Sequence, residues 1–195
     1  PDGSTLVYDK LLLATGSSSQ HIGLPGADAS GVHYLRTVDD ARAIRDVLTE
    51  GTRLAIVGAG WIGMEVAASA RERGVEVTIA ESAKLPLLRA LGPEVAQVFA
   101  DLHREHGVDL RTEVKVEEIT TDNGAATGLR LEGGDTIEAD VVLVAAGAVP
   151  NLEVAESAGL DIDGGGVLVN AGLRSSDPDI YVVGECAQHR GQVYG

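Results

Sequence analysis

One glycine-rich segment constrains the fold of this 195-residue chain more than any other feature. Gly58-Ala-Gly-Trp-Ile-Gly63 matches the pattern GxGxxG, which is a weak signal alone because the chain contains 25 glycines. Its setting is more specific. The apolar run 53–57 precedes it, a helical pattern over 62–73 follows it, and a second apolar run, 75–80, ends at Glu81. This order predicts a βαβ unit whose turn and helix N-terminus bind the pyrophosphate of a dinucleotide.

Each glycine of the segment has a physical reason. Gly58 permits the tight turn, Gly60 lets the backbone approach a pyrophosphate, and Gly63 lets the helix pack close to the sheet. The alternative is a tight strand–helix turn that binds no ligand. The predicted cofactor-binding residues of this segment are Gly58, Ala59, Gly60, Trp61, Ile62 and Gly63.

The acid at the end of the second strand favours one nucleotide over another. Glu81 follows Gly58 by 23 residues, close to the spacing of about 20 that this kind of unit uses. A carboxylate at this position accepts the ribose hydroxyls of NAD(H) and repels the 2′-phosphate of NADP(H). Lys84 lies three residues further on, and its positive charge would weaken this discrimination, so NADP(H) remains an alternative. A solvated acid at a strand end is the structural alternative.

Charge and composition exclude several classes of protein. The net charge is −15, from 15 Lys and Arg against 30 Asp and Glu, and such a surface repels nucleic acids and anionic membranes. No apolar run approaches the roughly 18 residues of a membrane span, and residues 1–10 do not read as a signal peptide. The single cysteine, Cys186, cannot form an internal disulfide, which suits the reducing cytoplasm.

The remaining pattern predicts an α/β fold. Strands are expected over 5–14, 140–146 and 180–183, with antiparallel strands over 108–119 and 127–139. Thr37 is a candidate N-cap, and Pro93 a candidate first helical residue. We therefore expect a Rossmann-like, parallel-sheet domain over 51–150 with an antiparallel excursion, flanked by the segments 1–50 and 151–195 that combine into part of a second domain.

Several motifs in order resemble the FAD-dependent pyridine nucleotide-disulfide oxidoreductase superfamily, and the resemblance covers nearly the whole chain. The motifs are Tyr8-Asp-Lys-Leu-Leu-Leu-Ala-Thr-Gly16, Leu35-Arg-Thr-Val-Asp-Asp-Ala41, the segment 58–65, Asp140-Val-Val-Leu-Val-Ala-Ala-Gly147 and Asp179-Ile-Tyr-Val-Val-Gly-Glu-Cys-Ala187. The segment 36–41 resembles the ferredoxin-reductase branch. Residues 184–195 resemble the flavoprotein portion of the large subunit of NAD(P)H-dependent assimilatory nitrite reductase.

The resemblance implies roles at the nucleotide site. It implies that the glycines of 58–63 hold the NAD pyrophosphate and that Glu81 holds the adenosine ribose. Glu65 would lie at the contact of nicotinamide and flavin, as the one predicted catalytic residue, and Gly147 beside the nicotinamide. An exposed helical acid paired with Arg71 or a neighbour is the alternative for Glu65. Trp61 would cover the nicotinamide or pack on the sheet.

The resemblance also implies that 1–50 and 151–195 belong to an FAD-binding domain. Thr15, Gly16 and Arg36 would lie by FAD, with Gly184 and Glu185 near its pyrophosphate and ribityl chain. The superfamily usually has Asp where this chain has Glu185, and the nitrite-reductase-like group tolerates Glu. The family's first FAD-binding βαβ unit would precede residue 1, so we expect this chain alone to bind FAD weakly or not at all and to be inactive.

Three functions remain open at this point. The first is the electron-transfer module of a nitrite reductase, which passes hydride from NADH to flavin and electrons onward to a redox domain or protein. The second is a ferredoxin or rubredoxin reductase of the same superfamily, and the third is a non-catalytic NAD(H)-binding sensor or interaction module. The sequence also leaves open whether the protein forms a homodimer. His103 and His106 have helical spacing but no third ligand in sight, so we predict no metal site and a solvated helix end.

Overall fold

A computed structural model describes residues 3–189. These residues form two compact units, one of 3–18 with 148–189 and one of 19–147. The second unit therefore begins at Ser19, which is well before the expected boundary at residue 51, because the segment 19–50 packs with the central sheet. The assignment of the units to FAD and to NAD(H) stays a prediction.

The elements alternate between strands and helices from residue 32 to residue 111. The strands are β1 Leu11–Leu13, β2 Ser17–Ser19, β3 Val32–His33, β4 Arg53–Val57, β5 Glu76–Ala80, β6 Asp109–Arg111, β7 Val116–Asp122, β8 Ala125–Leu131, β9 Thr136–Glu138, β10 Val141–Val144, β11 Ala148–Pro150, β12 Ile162–Asp163, β13 Gly166–Val169, β14 Ile180–Val182 and β15 Ala187–His189. The helices are α1 Val38–Val47, α2 Trp61–Glu72, α3 Leu88–Glu105 and α4 Glu153–Ser157, with a 3₁₀ turn at Gly184–Cys186.

A five-stranded parallel sheet forms the centre of unit 19–147. Its strand order is β3-β10-β4-β5-β6, and every neighbouring pair is parallel. The chain runs from β4 through α2 to β5 and through α3 to β6, and it adds β10 and β3 on the other side of β4. This is the predicted Rossmann-like arrangement.

The two faces of the sheet bury different partners. Ile56 and Ile79 are fully buried in the cluster beneath α2 and α3, whereas Ala55 and Val142 pack into a second cluster on the opposite face. Alternate residues of a strand point to opposite faces, so a strand buried on both sides reads as a continuous apolar run. That is why Leu54 to Ile56 could be recognised as a central strand.

The antiparallel excursion is shorter than the alternation suggested. Strands β7, β8 and β9 form a three-stranded antiparallel sheet, with the expected turn at Asn123 and Gly124, both at positive φ. The prediction that 108–119 begins this excursion is wrong at its start. β6 instead pairs parallel with β5 as the edge of the central sheet.

Both predicted helix starts are observed. The Thr37 hydroxyl accepts the N–H of Asp40, and the Asp40 carboxylate accepts the N–H of Thr37, a reciprocal capping box. The hydrogen bond from the backbone N–H of Thr37 is the main reason that the pKa of the Asp40 carboxyl lies below its usual value. In α3, Gly92 has φ 73° and ψ 171°, so a new helical segment begins with Pro93. None of the helices among residues 3–189 has the length and apolar content to cross a membrane.

The unit of 3–18 and 148–189 contains small sheets around one apolar cluster. β1 pairs parallel with β14, β13 lies between β12 and β15, and β11 pairs with β2. Leu13, Val167 and Val182 are buried in the cluster. The strand expected over 5–14 is confined to β1, because Leu6 and Val7 are 86% and 98% exposed and have no surface to pack against.

Candidate functional site

The unit 19–147 contains a cleft of about 730 Å³ at the carboxyl ends of its central strands. Gly58 follows β4, Glu81 follows β5, and Gly147 lies three residues beyond the end of β10, and all three line the cleft. The chain leaves β4 toward β5 on one side and adds β10 on the other, so the cleft lies where the direction of winding changes. Parallel α/β sheets bind ligands at such a switch point.

The glycine-rich turn is built as the sequence predicts. A Cβ on Gly63 would lie 2.2 Å from the carbonyl oxygen of Gly58, and a Cβ on Gly58 would lie 2.7 Å from the carbonyl oxygen of Ala145. Both are therefore glycine for reasons of packing. A Cβ on Gly60 would meet no atom within 4 Å. Gly60 is thus open toward the cleft, which leaves room for a pyrophosphate against its backbone.

Helix α2 begins at the cleft, since its N-cap Gly60 and its first residue Trp61 both line it. Among the described residues, no side chain caps the helix, whose N-cap is Gly60. A helix N-terminus with free N–H groups and a positive dipole end attracts phosphate oxygens. The residues present therefore fit a dinucleotide pyrophosphate.

Glu81 is fixed at the edge of the cleft before any ligand binds. Its Oε2 accepts the backbone N–H of Ala59 at 2.7 Å, and its Oε1 accepts the N–H of Ala83 at 2.7 Å and the hydroxyl of Ser82 at 3.3 Å. Oε2 keeps a second lone pair for a ribose hydroxyl. A 2′-phosphate would meet a fixed negative charge at the same place.

Glu65 and Trp61 lie on the exposed side of α2. Glu65 is exposed, and the pairing with Arg71 that served as its alternative is not formed, because Arg71 donates to the carbonyl oxygens of His106 and Val75. Trp61 lines the cleft and is 50% exposed. Its ring and that of Phe99 on α3 meet in a T-shaped arrangement, with centroids 6.2 Å apart, so Trp61 packs against α3.

The positively charged residues that line the cleft differ from the one that the sequence suggested. Lys84 does not line the cleft, whereas Arg89 and Lys115 do. Arg89 lies in the first turn of α3, and Lys115 precedes β7. Neither had a motif that singled it out, because their nearness to Glu81 depends on how α3 and the antiparallel sheet fold back over the parallel one.

The unit 3–18 with 148–189 brings four predicted FAD-site residues to one edge. β1 and β14 are parallel, so Thr15-Gly16 and Gly184-Glu185 both follow carboxyl ends of neighbouring strands. The hydroxyl of Ser17 donates to Oε2 of Glu185 at 2.7 Å. A Cβ on Gly184, which has φ 78°, would meet no atom within 4 Å. This open glycine edge fits part of a flavin-nucleotide site.

Arg36 belongs to the other unit and lies directly before the N-cap of α1. Its backbone N–H donates to the Asp40 carboxylate at 3.0 Å, and its side chain is exposed. The structure thus groups the predicted FAD residues Thr15, Gly16, Gly184 and Glu185 in one unit, and it places Arg36 directly before α1 in the unit 19–147. Its role toward FAD stays a prediction.

The histidines expected at a solvated helix end behave differently from each other. His106 is exposed, but His103 is buried, with Nδ1 2.9 Å from the carbonyl oxygen of Phe99 and Nε2 3.1 Å from that of Met64. The prediction of a solvated site is wrong for His103, because α2 covers it. No cluster of three metal-ligating side chains occurs among residues 3–189.

Comparison with known proteins gives relatives along the whole chain. The chain is 44% identical over 195 residues to the ferredoxin–NAD⁺ reductase component of the anthranilate 1,2-dioxygenase system of Burkholderia cepacia, covering 100% of this chain and 47% of that one. It is 40% identical over 188 residues to rhodocoxin reductase of Rhodococcus erythropolis, covering 96% and 44%. The chain thus spans about half the length of these curated relatives.

A solved structure shows the same fold. The crystal structure of the covalent putidaredoxin reductase–putidaredoxin complex matches with a TM-score of 0.92 and 38% identity, covering 98% of this chain and 47% of that one. The assimilatory nitrate reductase electron transfer subunit of Bacillus subtilis is 35% identical over 193 residues, which is 98% of this chain and 24% of that protein. The superfamily resemblance is therefore confirmed, while the nitrite reductase assignment within it is not shown.

The family described as pyridine nucleotide-disulphide oxidoreductase matches residues 1–194. Proteins of this family use FAD and NAD(P)H, in agreement with the two cofactors predicted from the motifs. The glycine turn, the free helix N-terminus and Glu81 supply the features that a pyridine nucleotide requires. The chain belongs to the pyridine nucleotide-disulphide oxidoreductase family.

Proposed function

We propose that this chain is the NAD(H)-binding unit, with part of the FAD-binding unit, of a reductase that passes electrons from NADH through FAD to a small redox protein such as a ferredoxin or rubredoxin. The observation that carries the proposal is Glu81, held by the N–H groups of Ala59 and Ala83 at the edge of a cleft with an uncapped helix N-terminus. The relatives that are reductases of ferredoxin and rhodocoxin support the choice of acceptor.

The residues of the chain divide the work. The backbone at Gly58 to Gly63 binds the pyrophosphate, and the carboxylate of Glu81 selects the ribose that carries free hydroxyls. Glu65 and Gly147 flank the nicotinamide, and Thr15, Gly16, Gly184 and Glu185, with Arg36, bind FAD. NADH, when bound, supplies the hydride that FAD accepts, and the protein contributes position and electrostatics.

Calorimetric titration with NADH and NADPH tests the nucleotide half of the proposal. We expect NADH to bind at micromolar concentration and NADPH much more weakly. Equal binding would contradict the selection by Glu81. Absence of binding of either nucleotide would contradict an independent nucleotide site in this chain.

The acceptor is tested with the longer protein that carries both cofactors. We expect NADH-dependent reduction of a ferredoxin or a rubredoxin. The nitrite reductase function that the sequence favoured receives less support. The nitrate reductase electron transfer subunit of Bacillus subtilis is 35% identical to this chain, whereas the ferredoxin–NAD⁺ reductase component of Burkholderia cepacia is 44% identical. NADH-dependent reduction of nitrite by the longer protein would instead support the nitrite reductase function. NAD(H) binding without flavin and without reduction of artificial acceptors would favour the sensor.

A further inference from the structure

Three charged side chains line the cleft of the unit 19–147, and they are Glu81, Arg89 and Lys115. Glu81 accepts hydrogen bonds on both of its carboxylate oxygens, and Nζ of Lys115 lies 3.6 Å from Oε2 of Glu132. Arg89 is exposed, and its side chain makes no hydrogen bond or ion pair among the residues that the structure describes. The cleft thus contains one cation without an acidic partner in the described part of the chain, although the net charge of the whole chain is −15.

The start of α3 holds Arg89 beside the glycine-rich turn. The N–H of Leu87, which is the N-cap of α3, donates to the carbonyl oxygen of Ala59 at 3.0 Å, and Arg89 follows Leu87 by two residues. The N–H of Ala59 donates to Oε2 of Glu81 at 2.7 Å. Ala59 is therefore bonded both to the carboxylate proposed to bind the ribose and to the helix start that bears Arg89. This places Arg89 next to the proposed position of the pyrophosphate.

Lys115 approaches the same side of the cleft from another element. The N–H of Val114 donates to the carbonyl oxygen of Glu81 at 3.0 Å, so Lys115 directly follows a residue that is bonded to Glu81. Glu132 already offsets part of the positive charge of Lys115, because the two side chains form an ion pair. Arg89 therefore remains as the cation available to a phosphate group.

The side of the cleft next to β10 has a different character. Its lining consists of Ala145, Ala146 and Gly147, which follow β10 and have no polar side-chain atoms. The charged groups of the cleft instead lie near the glycine-rich turn and the end of β5, where Glu81 and Arg89 are found. This side matches the ribose and the two phosphates of the ADP half of a dinucleotide, so we expect that half to supply most of the affinity.

A free nucleoside diphosphate differs in charge from the same half of NADH. Each phosphate of a dinucleotide is a diester with a single negative charge, whereas a terminal phosphate carries about −1.5 to −2 near neutral pH. A guanidinium group binds such a phosphate through paired, charge-assisted hydrogen bonds. An unpaired arginine beside the pyrophosphate position therefore favours the free diphosphate and offsets the loss of the nicotinamide contacts.

We propose that the cleft binds a free ribonucleoside diphosphate, ADP, in competition with NADH, and that Arg89 binds its terminal phosphate. The inference rests on the proposed function, because it uses the ribose and pyrophosphate positions assigned there. ADP carries no hydride, so a molecule with ADP in the cleft cannot reduce its flavin. A high ratio of ADP to NADH therefore slows electron transfer by this reductase.

Calorimetric competition on the 195-residue chain tests the inference. We expect a Kd for ADP within about tenfold of the Kd for NADH, and saturation with ADP should abolish the heat of NADH binding. AMP lacks the second phosphate and should bind at least about tenfold more weakly than ADP. A larger gap between ADP and NADH, or binding of both at the same time, would overturn the inference.

Arg89→Gln and Lys84→Gln form a matched pair of variants. Both remove one positive charge from an exposed side chain after β5, but Lys84 does not line the cleft. Arg89→Gln should weaken ADP binding by roughly tenfold and NADH binding by no more than about threefold, because NADH lacks the extra phosphate charge. Lys84→Gln should leave both Kd values unchanged. Equal losses for ADP and NADH in Arg89→Gln, or the same selective loss in Lys84→Gln, would contradict the role of Arg89.

Kinetics of the longer, flavin-containing protein distinguish this inference from the proposed function. ADP should raise the apparent KM for NADH and leave kcat unchanged, whereas a fall in kcat at saturating NADH would place ADP elsewhere and overturn the inference. If NADH reduces the flavin and ADP does not compete, the inference alone fails. If ADP binds with the expected loss in Arg89→Gln but NADH does not reduce the flavin, the proposed function fails and the ADP site stands.

Discussion

Replacing Gly63 by Ala separates the packing role of the glycine turn from its ligand-binding role. The new Cβ would lie 2.2 Å from the carbonyl oxygen of Gly58 and 3.3 Å from Cγ2 of Ile56. The first contact is with backbone at the end of β4, so neither partner can yield cheaply. Because Gly63 is helical, Ala gains about 1 kcal/mol of helix propensity, but overpacking costs about 1–3 kcal/mol or more.

We expect a net loss of about 1–2 kcal/mol in the free energy of unfolding of the unit 19–147. For chains of this size Tm falls by about 2–4 °C per kcal/mol, so Gly63→Ala should lower Tm by about 2–8 °C. Trp61 is the only tryptophan and stands two residues before the substitution on the same helix. Its fluorescence therefore reports the unfolding of this unit.

Gly60→Ala is the contrasting variant. Gly60 has φ −79°, which any residue adopts, and its Cβ would meet nothing. Its Tm should stay within about 2–4 °C of the original, the effect of ~1 kcal/mol, while NADH binding weakens by at least about tenfold, because the methyl group occupies the approach of the pyrophosphate. A Gly63→Ala protein as stable as the original would refute the packing argument. A Gly60→Ala protein with unchanged NADH affinity would refute the placement of the pyrophosphate.

Three further predictions follow from named contacts. Glu81→Ala should weaken NADH binding by roughly tenfold to a hundredfold, from loss of hydrogen bonds to a charged group worth about 1.5–3 kcal/mol, and should narrow the NADH-to-NADPH preference in calorimetry. Thr37→Ala should cost about 1 kcal/mol in chemical unfolding through loss of the helix cap, and an unchanged midpoint would count against it. Arg53 lowers the pKa of the Asp140 carboxyl chiefly by its side-chain hydrogen bonds, so the stabilisation that Asp140 adds is complete above its unfolded pKa of about 3.9 and is lost as pH falls through the lower folded value. In urea unfolding, the stability difference between the original protein and Asp140→Asn should therefore begin to close as the pH falls below about 4 and should disappear below the folded pKa of Asp140, and a difference that stays constant as the pH falls would argue against this linkage.

The fold was predictable where the pattern is local. The run that forms β4, the glycine turn and the cap of α1 each depend on residues adjacent in sequence, and they were placed within a residue or two of the observed bounds. Strand β3, of only two residues, carries no periodicity and escaped prediction, and β6 was misread as part of an antiparallel pair. A strand's partner and direction depend on the long-range path of the chain, which alternation of side chains does not encode.

The residues of the candidate site likewise fall into those that the sequence could predict and those that it could not. Gly58, Gly60, Gly63 and Glu81 could be named because turn geometry, helix dipole and ribose chemistry demand those residue types at that spacing. Arg89 could not be named, because its place at the cleft arises from the return of α3 over the sheet.

By itself, then, the amino-acid sequence determined the α/β class and the glycine-rich turn between β4 and α2, and it predicted a preference for a nucleotide whose ribose hydroxyls are free. These are consequences of steric and electrostatic requirements within short segments. Only the tertiary structure decided that residues 19–50 join the central unit, that β6 forms the edge of the parallel sheet, and that His103 is buried against α2. Each of these depends on contacts between residues far apart in the chain, whose pairing is set by the packing of the whole fold.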